Sequence, residues 1–175
     1  MLEEGYAAAS SRRVAERAGV NNGLIHYYFG TMDQMFIELF RRAADQGIEP
    51  TIDPASSDQP LWDMWEQMRH FSGNALMTEF IALANHRDAI RGEIAEYSER
   101  LRTAQVQALT RILQQYGIDE ADASPGALAV LMVGLTRFLQ MEAAFGITVG
   151  HDELVRAVEQ RIRAVEGDRR PAGHR

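Results

Sequence analysis

The sequence predicts an all-α fold, and three observations carry that prediction. Apolar residues recur at i, i+3 and i+4 in nearly every stretch outside one proline-rich segment. Residues that stop and start helices sit where those patterns break: Gly19 and Asn21, Gly117, and the pair Ser124-Pro125. No period-two strand alternation and no internal repeat stands out.

Taken in order, Ser11 to Ala18 carries Val14, Ala15 and Ala18 on one helical face. Gly19 follows where a helix end wants a residue free to take positive φ. Val20 can plug the angle to the next element, and Asn21 is a good N-cap for it. From Asn22 to Phe29, Ile25, Tyr28 and Phe29 are expected to face inward. That leaves Asn22 and His26 outside, with Gly23 and Tyr27 beside them. Helix, glycine turn and short helix make a helix-turn-helix, whose second helix can enter a major groove.

Thr31 or Asp33 then caps a helix striped by Met35, Phe36, Leu39, Phe40 and Ala43. Residues 47–60 hold three prolines in fourteen residues and no periodicity, so they read as a linker. Helical patterns resume with Trp62, Trp65, Met68 and Phe71, then with Leu76, Met77, Phe80 and Leu83. A long stretch from about Arg87 to Tyr116 buries Ile94, Tyr97, Leu101, Ala108, Ile112 and Leu113. Ser124 as cap and Pro125 at the first helical position start the next helix. From Leu128 to Phe145 it is apolar almost all round, charged only at Arg137 and Glu142, so it must be buried or meet a partner. Asp152 begins a last helix striped by Leu154, Val155, Val158, Ile162 and Val165. The expected domains are a head at 1–46, a linker at 47–60, a helical body at 61–166 and a disordered tail at 167–175.

The 175-residue chain, 46% hydrophobic and 25% charged, has the composition of a soluble globular protein. It lacks cysteine, which excludes disulfide scaffolds, thiolate metal sites and cysteine nucleophiles. With no leader and no apolar run of the roughly 18 residues that a span needs, a cytoplasmic protein without a membrane partner is expected. The net charge of −7 divides unevenly. Residues 1–46 hold five arginines against six acids, and the remainder thirteen against nineteen, so the acidity sits mainly in the C-terminal part. Every basic residue is Arg.

At the helix-turn-helix, Gly5-Tyr6, Arg12, Val14-Ala15, Ala18-Gly19-Val20, Gly23 and Tyr28-Phe29 followed by Asp33 form an ordered set. Over about thirty residues this set resembles the DNA-binding domain of TetR-family transcriptional regulators. The resemblance implies a helix-turn-helix head followed by a helical ligand-binding and dimerisation body. It implies a ligand-responsive regulator, a repressor released from double-stranded operator DNA by a small apolar or amphipathic effector. It also implies a longer first helix covering the head. Met1–Glu4 supplies its last turn only, so Val14, Ile25 and Phe29 are expected to lose cover, costing several kcal/mol at ~25 cal/mol per Å², and the head is expected to fray. Where relatives often place a basic residue near a phosphate, this chain has Met32.

For DNA contact, Asn22 is the best base reader, since amides pair naturally with adenine. His26 and Tyr27 lie one turn on, Gly23 permits close approach, and Leu24 can touch a thymine methyl. Ser10, Ser11 and Arg12 open the preceding helix, where hydroxyls and backbone N–H groups meet phosphate, and Asn21 caps. An effector site is expected among Trp62, Trp65, Met68, Phe71, Phe80, Phe138 and Met141, with Met64 and Met77 nearby and Arg137, Glu142 and His86 as polar anchors. The resemblance implies a homodimer through the last two helices, expected at Leu128, Leu131, Leu135, Leu139, Leu154, Val158 and Ile162. No cofactor or metal and no enzymatic activity is expected. The five histidines are scattered, Glu66 and His70 have no second such pair, and there is no phosphate loop or nucleophile elbow. The second reading is a regulator-derived dimeric small-molecule-binding or interaction module that has lost DNA binding.

Overall fold

The computed structural model describes residues 5, 9–47, 57–72, 75–119, 121 and 123–170, with the side chains at 45, 46, 70–72 and 75 left out. Among the described residues there are eight helices and no strand: α1 (Ser11–Ala18), α2 (Asn22–Phe29), α3 (Met32–Gly47), α4 (Pro60–Ser72), α5 (Ala75–Ala84), α6 (Asp88–Gln115), α7 (Pro125–Ala144) and α8 (His151–Glu166). The fold is all-α. Local chemistry sets most of these boundaries. Thr31 and Gln34 form a reciprocal capping box at the start of α3, Gln34 N donating to Thr31 Oγ1 and Thr31 N to Gln34 Oε1. Ser124 accepts from Ala127 N, with Pro125 at the first position of α7.

The chain divides into two units, and the division differs from the head, linker and body expected from the sequence. One unit is Met1–Glu49 with Asn74–Leu101, and the other is Pro50–Gly73 with Arg102–Arg175. Helix α5 and the first half of α6 therefore belong with the N-terminal helices. The reason is visible in the packing of the first unit. Phe40 on α3 meets Phe80 on α5 and Tyr97 on α6 edge to face, with centroids 5.2 and 5.4 Å apart. Two ion pairs add to this core. Arg41 Nε and Nη2 donate to Glu93 Oε1 and Oε2 at 2.8 and 2.9 Å. That contact holds the Glu93 carboxyl below the usual range. Arg87 bonds Asp33 and lies over the ring of Phe36.

The second unit packs α4, the end of α6, α7 and α8 around Trp62, Met64, Trp65, Met68, Ala108, Leu109, Ile112, Ala129 and Ile162. A C-terminal strap closes it. Leu61 N and Trp62 N, orphan donors of the first turn of α4, donate to Glu166 Oε1 and Oε2 at 2.7 and 3.1 Å. A carboxylate there also complements the helix dipole. Tyr116 Oη donates to the same carboxylate at 2.8 Å. Gln59, although buried, is satisfied: its amide N–H groups donate to the carbonyls of Glu166 and Asp168, and its Oε1 accepts from Arg170 N. Trp62 Nε1 donates to Gly167 O at 3.0 Å. Arg169 pairs with Asp63 and Glu66. So the disordered tail expected at 167–175 is corrected over 167–170, and α4 begins at Pro60, the last residue of the expected linker. Residues 48–56 and 171–175 of these stretches lie outside the described residues.

Helix α7 departs from expectation in two ways. It is not buried: Val130, Leu131, Phe138, Met141 and Phe145 are exposed, and only Pro125, Ala129 and Thr136 are enclosed. It is also long and apolar enough to cross a membrane by length and composition, which corrects the expectation that no such stretch exists. Its buried face packs against α4, so it is one wall of a folded unit.

The strap has a pH signature. Burial, together with the hydrogen bond to Glu166, pushes the Tyr116 phenol up to about 12. The folded state therefore holds this proton more tightly than an unfolded chain, whose phenol titrates near 10. The stabilisation is complete below about pH 10 and is lost as pH rises through about 12. Tyr116→Phe should lower stability by about 1–2 kcal/mol at neutral pH. Urea unfolding across the alkaline range should show that deficit shrinking toward pH 12.

Candidate functional site

The N-terminal helices meet through small contacts. Ala15 on α1 and Ile25 on α2 are buried, while Val14 and Phe29 are half-buried. Between the helices Gly19 adopts φ 66°, and the chain reverses there with Gly19 N bonding Glu16 O and Val20 N bonding Ala15 O. This is the left-handed cap that the sequence suggested. Asn21 then caps α2, its Oδ1 accepting from Gly23 N at 2.8 Å. A Cβ on Gly23 would sit 3.3 Å from that same Oδ1, so the glycine makes room for the cap as well as thinning the helix surface. Ser10 caps α1, accepting from Arg13 N.

The outer side of α2 is open. Asn22, Leu24, His26 and Tyr27 are exposed, as are Ser10, Arg12, Asn21 and Gly23, while Ser11 is half-buried. His26 Nδ1 lies 3.3 Å from the Gly30 carbonyl, which can only accept, so the ring presents its Nε2 as the remaining polar atom. One expectation is corrected: Tyr28 is 73% exposed rather than inward. Ile25 and Phe29, four apart, take the inner face, and Tyr28 falls on its flank, edge to face with Tyr27 at 5.2 Å. Sequence reasoning thus missed a second exposed phenol beside the predicted readers; its polar tip was the available signal. Charge also differs locally from the near-neutral average. Residues 9–30 carry three arginines against one glutamate. The acids Asp33 and Glu38 on α3 are ion-paired to Arg87 and Arg42. A donor-bearing, weakly cationic ridge suits a phosphate-flanked groove.

Residues 1–39 match the family model of bacterial regulatory proteins, tetR family. An uncharacterized HTH-type transcriptional regulator of Bacillus subtilis (strain 168), YfiR, is 24% identical over 131 residues, covering 70% of this chain. Residues 1–39 are thus similar to the N-terminal domain of that family. The chain spans 62% of the length of that relative.

The residues expected to line an effector site are divided between the two units. Trp62, Trp65 and Met68 sit together in the second unit, with Met64. Phe80 is buried in the first unit against Phe40. Phe138 and Met141 are exposed on α7, at 49% and 54%. The Phe71 side chain lies outside the described residues. Helical stripes report that a residue is buried, not in which core, and that is why one list mixed two. Of the proposed anchors, Arg137 and His86 are exposed, and Glu142 is 2.9 Å from His151.

The expected dimer residues divide as well. Ile162 belongs to the internal core, and Leu128 and Val158 pack against it. Leu135, Leu139 and Leu154 are half-buried, and Leu131 is 57% exposed. The open apolar face is instead Val130, Leu131, Phe138, Met141 and Phe145.

Gly19→Ala isolates the turn. No atom lies within 4 Å of the Cβ it would add, so only the left-handed backbone resists it. Thermal unfolding should show a loss of about 1–2 kcal/mol, with packing otherwise intact.

Proposed function

We propose that this chain is a transcriptional regulator that reads double-stranded operator DNA through α2 as a homodimer, acts in the cytoplasm, and is released by a small apolar or amphipathic effector. One observation carries the reading: a short helix fixed by a left-handed glycine turn presents Asn22, Leu24, His26 and Tyr27 to solvent together. In a major groove, Asn22 offers a paired donor and acceptor to adenine, and Leu24 offers a methyl contact to thymine. Ser10 and Arg12, at the start of α1, take the flanking phosphates.

A single short helix reads few base pairs, so two copies are needed to define an operator, their reading helices about 34–36 Å apart. The open apolar face of α7 supplies the means. Its large side chains are too many and too contiguous for an ordinary monomer surface, and a second copy of the same face would cover them. Effector binding in the helical body then shifts the population toward a spacing that no longer fits two half-sites. A molecule that binds both spacings equally shifts nothing.

Two measurements test this. A duplex from upstream of the protein's own coding region should bind more tightly than an unrelated duplex across a salt series from about 50 to 200 mM. Asn22→Ala should weaken the specific complex by about 1–3 kcal/mol and leave unrelated DNA nearly unaffected. Equal binding to both duplexes, unchanged in the variant, defeats sequence reading by α2. For the dimer, sedimentation should give twice the 19.6 kDa chain mass. Leu131→Glu should return it to one chain with little loss of helix, since Leu131 is exposed on the single chain. A wild-type monomer at tens of micromolar would sink the dimer.

A further inference from the structure

The second unit contains two buried donors with no acceptor. Trp65, wholly buried on α4, has an Nε1–H without a partner, and so has the buried Nη1 of Arg102 on α6. The neighbouring indole makes the contrast plain: Trp62, three residues earlier on α4, donates its Nε1–H to Gly167 O. The other buried polar groups of this unit are satisfied from within. Gln59 is bonded on both sides of its amide, and Thr136 Oγ1 lies 3.0 and 3.1 Å from the carbonyls of Met132 and Val133.

An unpaired buried N–H is costly and uncommon in native interiors. Here the imbalance has a sign. Among the described residues, the buried side-chain polar atoms left without a partner in this unit are both donors, and one of them belongs to a cation. Trp65 is flanked along α4 by Met64 and Met68, unbranched thioethers that repack readily around an inserted apolar body. Arg69 lies over the opposite resource of the same indole, its ring, with Cζ 5.7 Å from the centroid.

We propose that the interior of this unit binds an apolar molecule bearing a carboxylate, which supplies the acceptor oxygens that Trp65 Nε1–H and Arg102 Nη1–H lack. The proposal rests on the ligand-responsive reading above and gives its effector a chemical class. An amine of the same shape brings only donors and a second positive charge, so the site rejects it.

The test uses the full chain and two matched pairs of probes: decanoate against decylammonium, and 2-naphthoate against 2-naphthylmethylammonium. At least one carboxylate should raise the unfolding temperature and perturb tryptophan fluorescence, and its amine should do neither. Trp65→Phe keeps the ring and removes the N–H, and Arg102→Gln removes the charge. Each should weaken carboxylate binding about tenfold, as the loss of one hydrogen bond to a charged group predicts. Should Trp65→Phe fail to fold, Arg102→Gln decides alone. Carboxylates that bind no better than their amines, or that bind the variants as tightly as the wild type, overturn the proposal. The same samples assayed on the operator duplex separate the two readings. Operator binding without carboxylate preference defeats this inference alone, and carboxylate binding without operator binding defeats the regulator alone.

Discussion

The arrangement of the N-terminal helices depends on the positive φ of Gly19. With the chain reversed there, α1 and α2 bury Ala15 and Ile25, with Val14 and Phe29 half-buried beside them, and Asn22, Leu24 and Tyr27 stay exposed on α2. A bulkier contact would tilt α2 and redirect Asn22 and His26, which lie one turn apart on it. The glycine at 23 works toward the same end, since its missing side chain leaves the Asn21 cap intact at the point where α2 is most exposed. The head is thus specified more by what its residues omit than by the area they bury.

The N-terminal pattern was legible because its determinants are local. A glycine, an N-cap and a three-to-four spacing act within a single turn, and the structure places α1, α2 and the start of α7 where those signals put them. Tyr28 escaped because periodicity sorts residues into inner and outer and says little of a flank. The unit division escaped for a different reason. Phe40 and Phe80 lie forty positions apart, and nothing in either stripe names its partner. The strap was least legible, since Gln59 and Asp168 meet across 109 positions through a carbonyl that every residue possesses. Of the effector candidates, Trp62, Trp65 and Met68 share the core of the second unit, and the sequence could not register that one indole is paired and its neighbour is not.

Helix α7 shows how one element serves two surfaces. Ala129 and Thr136 give it a narrow, close-packed inner face, and Thr136 hides its hydroxyl by bonding back to Met132 and Val133. The opposite face keeps its large apolar side chains in water. Composition alone read this helix as buried or meeting a partner, and its length and hydropathy also suit a membrane span. The small residues on its packed side are what tie it to the protein, leaving the outer side to be satisfied by something else.

The strap gives the second unit a closed outline. Gln59, where the chain enters α4, is bonded to Asp168 and Arg170, beyond the end of α8, so entry and exit are stitched together without a covalent link. Mechanically, a load applied beyond Arg170 reaches the first turn of α4 through several hydrogen bonds and the ion pairs of Arg169, all sheared together, before it can peel α8 from the bundle. Anything joined to the chain after Arg170 would therefore pull on the base of α4, and the unit would resist or yield as a ring rather than from an end.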